Sequence, residues 1–275
     1  MQAPQLPPHI YSVCRIGDTS KKEYVVKRIR HHSNEKQILQ SFSTTEPPCD
    51  HVIQMVETIK SRVNTFIVFP KLGSVFEELQ FGGGVLRGRL VDLSHDLAKG
   101  LTFLHNSNIA HLDINPSNLG FTDAYRLQII DFDISVWVNG EDDQIDDYLG
   151  TEGWMAPEIG TKNGPHQLYS PIRADRYSCG RVFKVFADMH EEDDKGLGRF
   201  ADKLMHHNPH ERPQLIEWCE PNNRATLTQT NSAEDETMDE TMVAEDEAMV
   251  TGEGGTVVAK DEKKAEETPS HVSCT

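Results

Sequence analysis

The first third of the chain alternates between short apolar runs and polar turns. YSVCRI and EYVVKRI flank the polar segment GDTSKK, so Tyr11–Arg30 predicts a β-hairpin. SNEKQILQSF then predicts a short helix, with Ser33 or Asn34 available as its N-cap. The next two apolar runs, VIQMVETI and NTFIVF, predict two further strands. This pattern indicates a small antiparallel sheet with one helix inserted.

The middle and later parts of the chain mainly predict helices. Apolar side chains recur every three or four positions between Arg87 and Asn108 and define one face of an amphipathic helix, namely Leu90, Leu93, Leu97, Leu101 and Leu104. RLQIIDFDI predicts one more strand, and the apolar positions beyond 170 predict a second long helix with short helical pieces as far as Trp218. Strands precede helices, an order that predicts an α+β fold in two unequal lobes.

The chain is acidic, and its charge is unevenly distributed. Its 275 residues include 27 Lys and Arg against 44 Asp and Glu, a net charge of −17. Residues 221–275 alone carry 13 acidic and four basic side chains and no aromatic residue, so we predict a disordered acidic tail there. Charge of this sign repels phosphate backbones and anionic headgroups. We therefore expect no nucleic acid partner and no membrane partner.

Cysteine usage and the start of the chain bear on the compartment. The cysteines form an odd set without a CxxC pair, which disfavours a disulfide framework or a zinc site; they are Cys14, Cys49, Cys179, Cys219 and Cys274. The opening MQAPQLPP lacks the basic and apolar stretches of a secretion signal. The apolar runs are also far shorter than the roughly 18 residues of a membrane span. We expect an intracellular protein, in the cytoplasm or the nucleus.

The segments HLDINPSN and IIDFD hold the densest chemical signal. Asp113 follows the amphipathic helix, Asn118 comes five residues later, and Asp131 closes an apolar strand. Phosphoryl transfer needs an acceptor for the proton of the nucleophile and oxygen ligands for Mg²⁺. Lys27, at the end of the strand YVVK, would complete this set as a cation near the phosphates.

These segments resemble the motifs of the eukaryotic protein kinase family. In that family a strand lysine pairs with a helix glutamate, the catalytic loop reads H-R-D with a later asparagine, and D-F-G and A-P-E follow. This chain shows them in the same order, as YVVK, SNEKQIL, HLDINPSN, DFD, GTEGWMAPE, DRYSCG and NPHERP. The resemblance covers about residues 11–218. The short connection from the lysine to the glutamate, DFD and GWMAPE look like a group of kinase-like proteins in mushroom-forming fungi.

The resemblance implies a two-lobed fold that uses ATP and Mg²⁺ and acts on a protein substrate. Residues 1–10 would be an N-terminal segment, 11–72 the N-lobe and 73–220 the C-lobe. Asp113 would accept the proton of the substrate hydroxyl with Thr151 beside it, as in serine/threonine kinases. Lys27 would hold the nucleotide phosphates and pair with Glu35.

The resemblance also assigns the remaining site residues. Asn118 and Asp131 would bind Mg²⁺. Five residues would contact the adenine, with Phe69 as the gatekeeper: Val13, Val25, Phe69, Pro70 and Leu72. Five others would have structural roles: His111, Phe132, Glu158, Asp175 and Arg212. For Glu158 and Arg212 this role is a buried ion pair that supports the activation segment.

The chain also departs from the family pattern. With Val13 above the adenine, the three positions of the glycine-rich loop would be Leu6, Pro8 and Tyr11, so either the phosphate lid is missing or the chain is truncated. Leu112 replaces the arginine that reads an activation-loop phosphate, which predicts activity without phosphorylation of that loop. Three more differences fall near the nucleotide: Asn115 for the loop lysine, Gly120 for an apolar floor residue, and Asp133 for the last glycine of D-F-G.

Three functions fit these residues. An active serine/threonine kinase has all the proton-accepting and metal-binding residues in place, whereas a pseudokinase that binds without efficient transfer would explain the missing glycines, Asn115 and Gly120. A small-molecule phosphotransferase of the aminoglycoside or choline kinase kind shares HxDxxxxN. GTEGWMAPE, DRYSCG and Arg212 argue against it because they build a platform for a protein substrate. The sequence specifies neither the peptide substrate nor the oligomeric state.

Overall fold

A four-stranded antiparallel sheet forms the first part of the fold. The computed structural model describes residues 10–14, 22–29, 33–81, 84–165, 167–190 and 196–220. Its strands are β1 (Ile10–Cys14), β2 (Glu23–Arg28), β3 (Glu57–Lys60) and β4 (Thr65–Pro70), in the order β1-β2-β4-β3. The predicted hairpin is confirmed as the β1–β2 pair.

The first helix, α1 (Glu35–Phe42), has one apolar face, and Phe42 on that face contacts Phe103 and Phe132. Ile38, Leu39 and Phe42 are fully buried in the main core, as the spacing of three and four residues predicts. The predicted strand VIQMVETI is shorter in the structure, since β3 begins only at Glu57. Upstream of it, Val52 makes a single parallel bridge to Ile129 in the helical part of the fold.

Helices dominate after residue 74. They are α2 (Val75–Phe81), α3 (Leu90–Asn106), α4 (Pro171–Met189), α5 (Leu197–Leu204) and α6 (Ile216–Cys219). The leucines that predict α3 are all buried in the main core, together with Phe183, Phe186, Phe200 and Trp218 from the later helices. Burial of this apolar surface, at about 25 cal/mol per Å², is the main favourable term for the helical part.

Short strands carry the loops that matter for chemistry. The strands β5 (Gly73–Ser74), β7 (Leu119–Phe121) and β8 (Leu127–Ile129) form one small sheet, and β6 (Ile109–Ala110) pairs with β9 (Val136–Trp137). The predicted strand RLQIIDFDI therefore ends at Ile129. The chain turns sharply two residues later, where Asp131 has a φ of 66°.

The α+β class predicted from the order of the elements is confirmed by the sheet and the helices that follow it. All of the described residues belong to one compact unit. None of the helices in the described ranges has both the length and the hydropathy needed to cross a membrane. Residues 1–9 and the predicted acidic tail, 221–275, lie outside the described residues, and the lobe boundaries stay predictions.

Candidate active site

An apolar cleft of about 160 Å³ lies between the four-stranded sheet and the small sheet β5-β7-β8. Val25 and Phe69 line it from the large sheet, and Pro70 and Leu72 line it at the connection between the sheets. Pro70 has no N–H group, so it offers only its carbonyl oxygen to a ligand. The remaining lining is mostly apolar and includes Ile10, Ile53, Leu119 and Ile130.

Val13 does not face this cleft, so the prediction that it covers the adenine is wrong. In the β1–β2 pair Val13 lies opposite Tyr24 and Ile10 lies opposite Lys27. Side chains alternate between the two faces of a strand, and opposed residues share a face. Val13 therefore lies on the opposite face of the sheet, where it lines a shallow pocket with Val26 and Val68, and Ile10 lines the cleft.

This difference also moves the expected glycine-rich loop. The expected positions of that loop depend on Val13 covering the adenine. Ile10, three residues earlier in β1, lines the cleft instead. Tyr11, one of the three predicted glycine positions, is an exposed residue of β1. The other two, Leu6 and Pro8, lie outside the described residues.

Lys27 lies at the inner end of the cleft between two carboxylates. Its Nζ donates to Glu35 Oε1 at 2.8 Å and to Asp131 Oδ1 at 2.7 Å. The predicted Lys27–Glu35 pair is thus present, although only eight residues separate the two in sequence. β2 supplies the lysine, α1 supplies Glu35, and the turn after β8 supplies Asp131.

Burial and charge act on this cluster in opposite directions. Burial disfavours the charge of Lys27, but attraction to Glu35 and Asp131 outweighs it and raises the pKa of Lys27. Burial would likewise raise the pKa of Asp131, yet Lys27 lowers it below the ordinary value. Burial is the largest effect at Glu35 and raises its pKa. Asp131 therefore stays charged and available to a cation.

Phe132 and His111 support the turn that carries Asp131. Phe132 is fully buried, with its ring centroid 5.0 Å from that of His111 and 5.3 Å from that of Phe42 in α1. His111 Nε2 lies 3.1 Å from the carbonyl oxygen of Ile130. These contacts fix the turn against the helix that carries Glu35.

Asp113 is held by three side chains. Thr151 Oγ1 donates to Asp113 Oδ1 at 2.6 Å, and Asn118 Nδ2 donates to Oδ2 at 2.7 Å. Asn115 Nδ2 donates to Oδ1 at 3.1 Å. The structure therefore brings the predicted residues Asp113, Asn118 and Thr151 together and adds Asn115, where the family has a lysine.

Asp175 anchors the backbone of the loop that carries Asp113. Its carboxylate accepts hydrogen bonds from the N–H groups of His111 and Leu112, both at 2.7 Å, and Oδ2 lies 3.1 Å from His105 Nε2. Leu112 has a φ of 65°, in the region that side chains with a Cβ rarely adopt. Strain of this kind persists only where surrounding contacts enforce it, and the buried Asp175 supplies them.

Glu158 and Arg212 form a bidentate ion pair next to the same segment. Arg212 Nη1 and Nη2 donate to the two carboxylate oxygens of Glu158 at 2.5 and 2.8 Å. Arg212 also donates to the carbonyl oxygens of Arg173 and His206, both at 2.9 Å. The arginine is fully buried at its side chain, so this pair joins the activation segment to the C-terminal helices.

A second ion cluster was not anticipated from the sequence. Glu141 accepts two hydrogen bonds from Arg176, at 2.8 and 2.6 Å, and one from Arg173 Nε at 3.1 Å. These hydrogen bonds from Arg176 lower the pKa of Glu141. The acidic run EDDQIDD and the arginines of α4 are visible in the sequence, but their pairing is not, because about 30 residues of intervening chain separate them.

Leu72 compensates for the missing floor residue at Gly120. A Cβ on Gly120 would lie 2.7 Å from Leu72 Cδ1 and 2.9 Å from Leu72 Cβ. The Leu72 side chain thus fills the space that a larger residue at position 120 would occupy. The cleft stays apolar here, because Leu72 from the connection between the sheets lines it together with Leu119 of β7.

Asn118 and Asp131 have the chemistry that Mg²⁺ requires. The amide nitrogen of Asn118 is committed to Asp113, which leaves its carbonyl oxygen for a cation. The Asp131 side chain is 37% exposed and carries a pKa below its ordinary value. Mg²⁺ takes oxygen ligands and usually binds through one or two protein groups together with substrate phosphates. These residues therefore fit a magnesium–nucleotide complex.

The comparisons with known proteins identify the class of this fold and site. A sequence profile described as "Protein kinase domain" matches residues 11–192. The chain belongs to the eukaryotic protein kinase family.

Individual relatives agree with this assignment at modest identity. CBL-interacting protein kinase 16 of Oryza sativa subsp. japonica is 30% identical over 144 residues, covering 49% of this chain and 29% of the relative. CBL-interacting serine/threonine-protein kinase 10 of Arabidopsis thaliana is 27% identical over 182 residues, covering 63% and 33%. The liver/testis catalytic gamma chain of phosphorylase b kinase from Bos taurus is 28% identical over 137 residues, covering 48% and 33%. The matched segments span about a third of these relatives.

Proposed function

We propose that this chain binds ATP with Mg²⁺ and transfers the γ-phosphate to a serine or threonine hydroxyl of a protein. The observation that carries the proposal is the position of Lys27, whose Nζ is within 2.8 Å of both Glu35 and Asp131 at the end of an apolar cleft. An ammonium group held in this way suits nucleotide phosphates, and the adjacent carboxylate suits their metal ion. The apolar walls suit the adenine ring.

Asp113 is the proposed proton acceptor. Its carboxylate is oriented by Asn115, Asn118 and Thr151, so it is fixed before substrate arrives. A substrate hydroxyl within hydrogen-bond distance of Asp113 would pass its proton to this carboxylate as its oxygen bonds to the γ-phosphorus, and the bond between that phosphorus and the leaving ADP would break. Thr151 beside Asp113 supports serine and threonine as acceptors, the specificity in the name of the Arabidopsis thaliana relative.

Mg²⁺ would neutralise the charge of the nucleotide phosphates. Asn118 and Asp131 would hold it through oxygen atoms, and Lys27 would bind phosphate oxygens from the other side. Lys27 stays protonated between its carboxylates, so its positive charge attracts phosphate oxygens once Mg²⁺ offsets the charge of Asp131. Positioning and electrostatics of this kind supply most of the catalysis in phosphoryl transfer.

Nucleotide binding without efficient transfer is the second candidate. Asn115 favours it, because its neutral amide donates to Asp113 at the place where a lysine would point at the transferred phosphate. Removal of one preorganised electrostatic donor costs on the order of 10² to 10³ in rate in other enzymes. This candidate keeps the site and its ligand but predicts very slow turnover.

The proposed compartment is the reducing interior of a cell. Cys14, Cys49, Cys179 and Cys219 are free thiols in the structure, which supports this location. A net charge of −17 is consistent with the prediction that nucleic acid is not a partner.

Thermal unfolding with and without Mg·ATP tests the proposal. We expect Mg·ATP at millimolar concentration to raise the Tm of the wild-type chain and to have no effect on Asp131→Ala, because the variant lacks the carboxylate proposed to hold the metal. Asp123→Ala, the same substitution at an exposed turn residue, should respond like the wild type. If Mg·ATP leaves the Tm of the wild-type chain unchanged, the proposal of nucleotide binding is refuted.

A transfer assay then separates the two candidates. Purified wild-type chain and Asp113→Ala would be incubated with radiolabelled Mg·ATP and pooled peptides that contain serine, threonine or tyrosine. Label on serine or threonine peptides that depends on Asp113 supports the kinase. If the wild-type chain binds Mg·ATP but both proteins give the same background label, the result supports the second candidate, nucleotide binding without efficient transfer.

A further inference from the structure

Ser33 connects the start of helix α1 to the loop that carries Asp131. Its Oγ donates to the carbonyl oxygen of Asp133 at 3.1 Å and accepts from the backbone N–H of Glu35 at 3.0 Å. A serine hydroxyl has one donor hydrogen and two acceptor lone pairs, so both bonds form at once. One hydroxyl thus bridges two segments 100 residues apart in sequence.

The bond to Glu35 also meets a need of the helix itself. The first N–H groups of a helix have no partner within it, and a side-chain oxygen just before the helix commonly satisfies one of them. The residue directly before α1, Asn34, makes no side-chain capping bond. Its Nδ2 instead lies 3.5 Å from the carbonyl oxygen of Ser135, so both residues before α1 reach the same loop.

These contacts close a ring around the proposed phosphate and metal site. Lys27 contacts Glu35 and Asp131, and Ser33 connects the backbone of Glu35 to that of Asp133. The ring is completed by the N–H of Asp133, which donates to Asp131 Oδ1 at 3.3 Å. The neutral hydroxyl of Ser33 thus connects the backbone of Glu35 to the loop that carries Asp131.

A neutral connection is useful here because the ring contains like charges. Glu35, Asp131 and Asp133 are all acidic, and both Asp131 and Asp133 raise the pKa of Glu35. Lys27 offsets this repulsion as long as both carboxylates share it. A carboxylate that turns towards a metal ion loses part of its attraction to Lys27. The hydrogen bonds of the Ser33 hydroxyl do not depend on this rotation, because they involve backbone groups of Glu35 and Asp133.

We propose that Ser33 is a positioning residue that holds the Lys27–Glu35 pair and Asp131 in the arrangement that binds Mg·ATP. This inference rests on the proposed nucleotide-binding function and adds a residue that the motif comparison does not single out. Ser33 touches neither the cleft nor the proposed ligands directly. Its effect should therefore appear in the binding of the phosphates and metal, and not in the binding of the adenine.

The test compares two ligands on the 275-residue chain by isothermal titration calorimetry. We expect Ser33→Ala to weaken Mg·ATP about tenfold, equivalent to about 1.4 kcal/mol, and to leave adenosine binding within twofold of the wild type. Ser33→Thr keeps a hydroxyl and should restore Mg·ATP binding. Ser43→Ala is the matched control, because Ser43 lies at the other end of α1 and its hydroxyl bonds only to Gln40 of the same helix.

Different outcomes overturn different claims. If the wild type binds Mg·ATP and Ser33→Ala binds it equally well, the positioning role is wrong and the proposed function stands. Equal losses for adenosine and Mg·ATP in Ser33→Ala, or the same loss in Ser43→Ala, would show a general effect on α1 and also refute the role. If the wild type binds no Mg·ATP, the proposed function fails and the role fails with it.

Discussion

Asn115 lies beside Asp113, at the position where the family has a lysine. Its amide nitrogen donates to Asp113 Oδ1, and its amide oxygen accepts from the N–H of Ser117 at 3.0 Å. It therefore orients Asp113 and caps the short turn Pro116–Asn118, but it adds no charge to the site. Where the family has a lysine directed at the transferred phosphate, this chain has a neutral amide with a structural role.

Asn115→Lys should accelerate phosphate transfer. A lysine adds a cation beside Asp113 where negative charge develops, so we expect kcat to rise on the order of tenfold with little change in KM for ATP. Steady-state kinetics with a serine peptide would measure this. Asn115→Gln supplies a longer amide without charge and should show no gain. A lysine variant no faster than the glutamine variant would contradict the electrostatic explanation.

At the scale of elements, apolar packing and ion pairs connect the activation segment to α4. Leu112, where the family has an arginine, is buried in a second apolar cluster that joins the activation segment to α4. Val138 and Ala156 belong to this cluster from the segment, and Ile172 belongs to it from α4. The contact of Glu141 to Arg173 and Arg176 adds to this packing, and activity without phosphorylation of this loop stays a prediction.

The Glu141 contact makes a pH-dependent contribution to stability. The folded-state pKa of Glu141 is lowered, so its stabilising effect is complete above the unfolded-state pKa of about 4.5 and is lost as pH falls through the folded-state value. At pH 7, Glu141→Gln should lower the free energy of unfolding by on the order of 1 kcal/mol, a modest amount because the carboxylate is about one-third exposed.

Urea unfolding of wild type and Glu141→Gln across pH 3 to 8 would test this contribution, with the pH range set by the ordinary carboxylate pKa of about 4. The difference between the two proteins should be constant near neutrality and disappear in acid. Glu152→Gln, at an exposed position of the same segment, is the control. A difference that persists unchanged at the acid end would mean that Glu141 stabilises through packing and not through its charge.

At the scale of the whole molecule, one buried ion pair connects the activation segment with the C-terminal helices. Arg212 contacts Glu158, the carbonyl oxygens of Arg173 and His206, and the ring of Tyr177, whose centroid lies 5.0 Å from the guanidinium carbon. These contacts come from three parts of the C-terminal half, namely the activation segment, α4 and the turn after α5. The arginine thus completes a tertiary arrangement that no single element could form.

Arg212→Ala should be strongly destabilising. The change leaves Glu158 without its partner in a mostly buried position and removes two hydrogen bonds to backbone carbonyls. Breaking a buried pair in this way costs about 3 to 5 kcal/mol. Equilibrium unfolding in urea would measure the loss. Arg126→Ala, at an arginine that is 62% exposed, should change stability by less than about 0.5 kcal/mol. Equal losses in both variants would show that burial of Arg212 is not the cause.

The amino-acid sequence by itself determined the class of fold and the composition of the central site. The leucine spacing of α3 and the strand pattern around GDTSKK are local signals, and local signals are sufficient for elements such as α3 and the β1–β2 hairpin. The grouping of Lys27, Glu35 and Asp131 followed from the order of short motifs. The ends of the short strands could not be predicted from the sequence, because hydrogen-bond pairing with neighbouring strands decides where a strand ends.

Only the tertiary structure decided which side chains of those elements reach the cleft. Val13 and Ile10 are three positions apart in one strand, and an odd shift exchanges the two faces of a sheet. The Glu141 contact with Arg173 and Arg176, the filling of the Gly120 space by Leu72, and the Ser33 bridge join residues that are distant in sequence. Such contacts depend on how the packed elements meet in space, and the pattern of residues along the chain does not specify which distant residues meet.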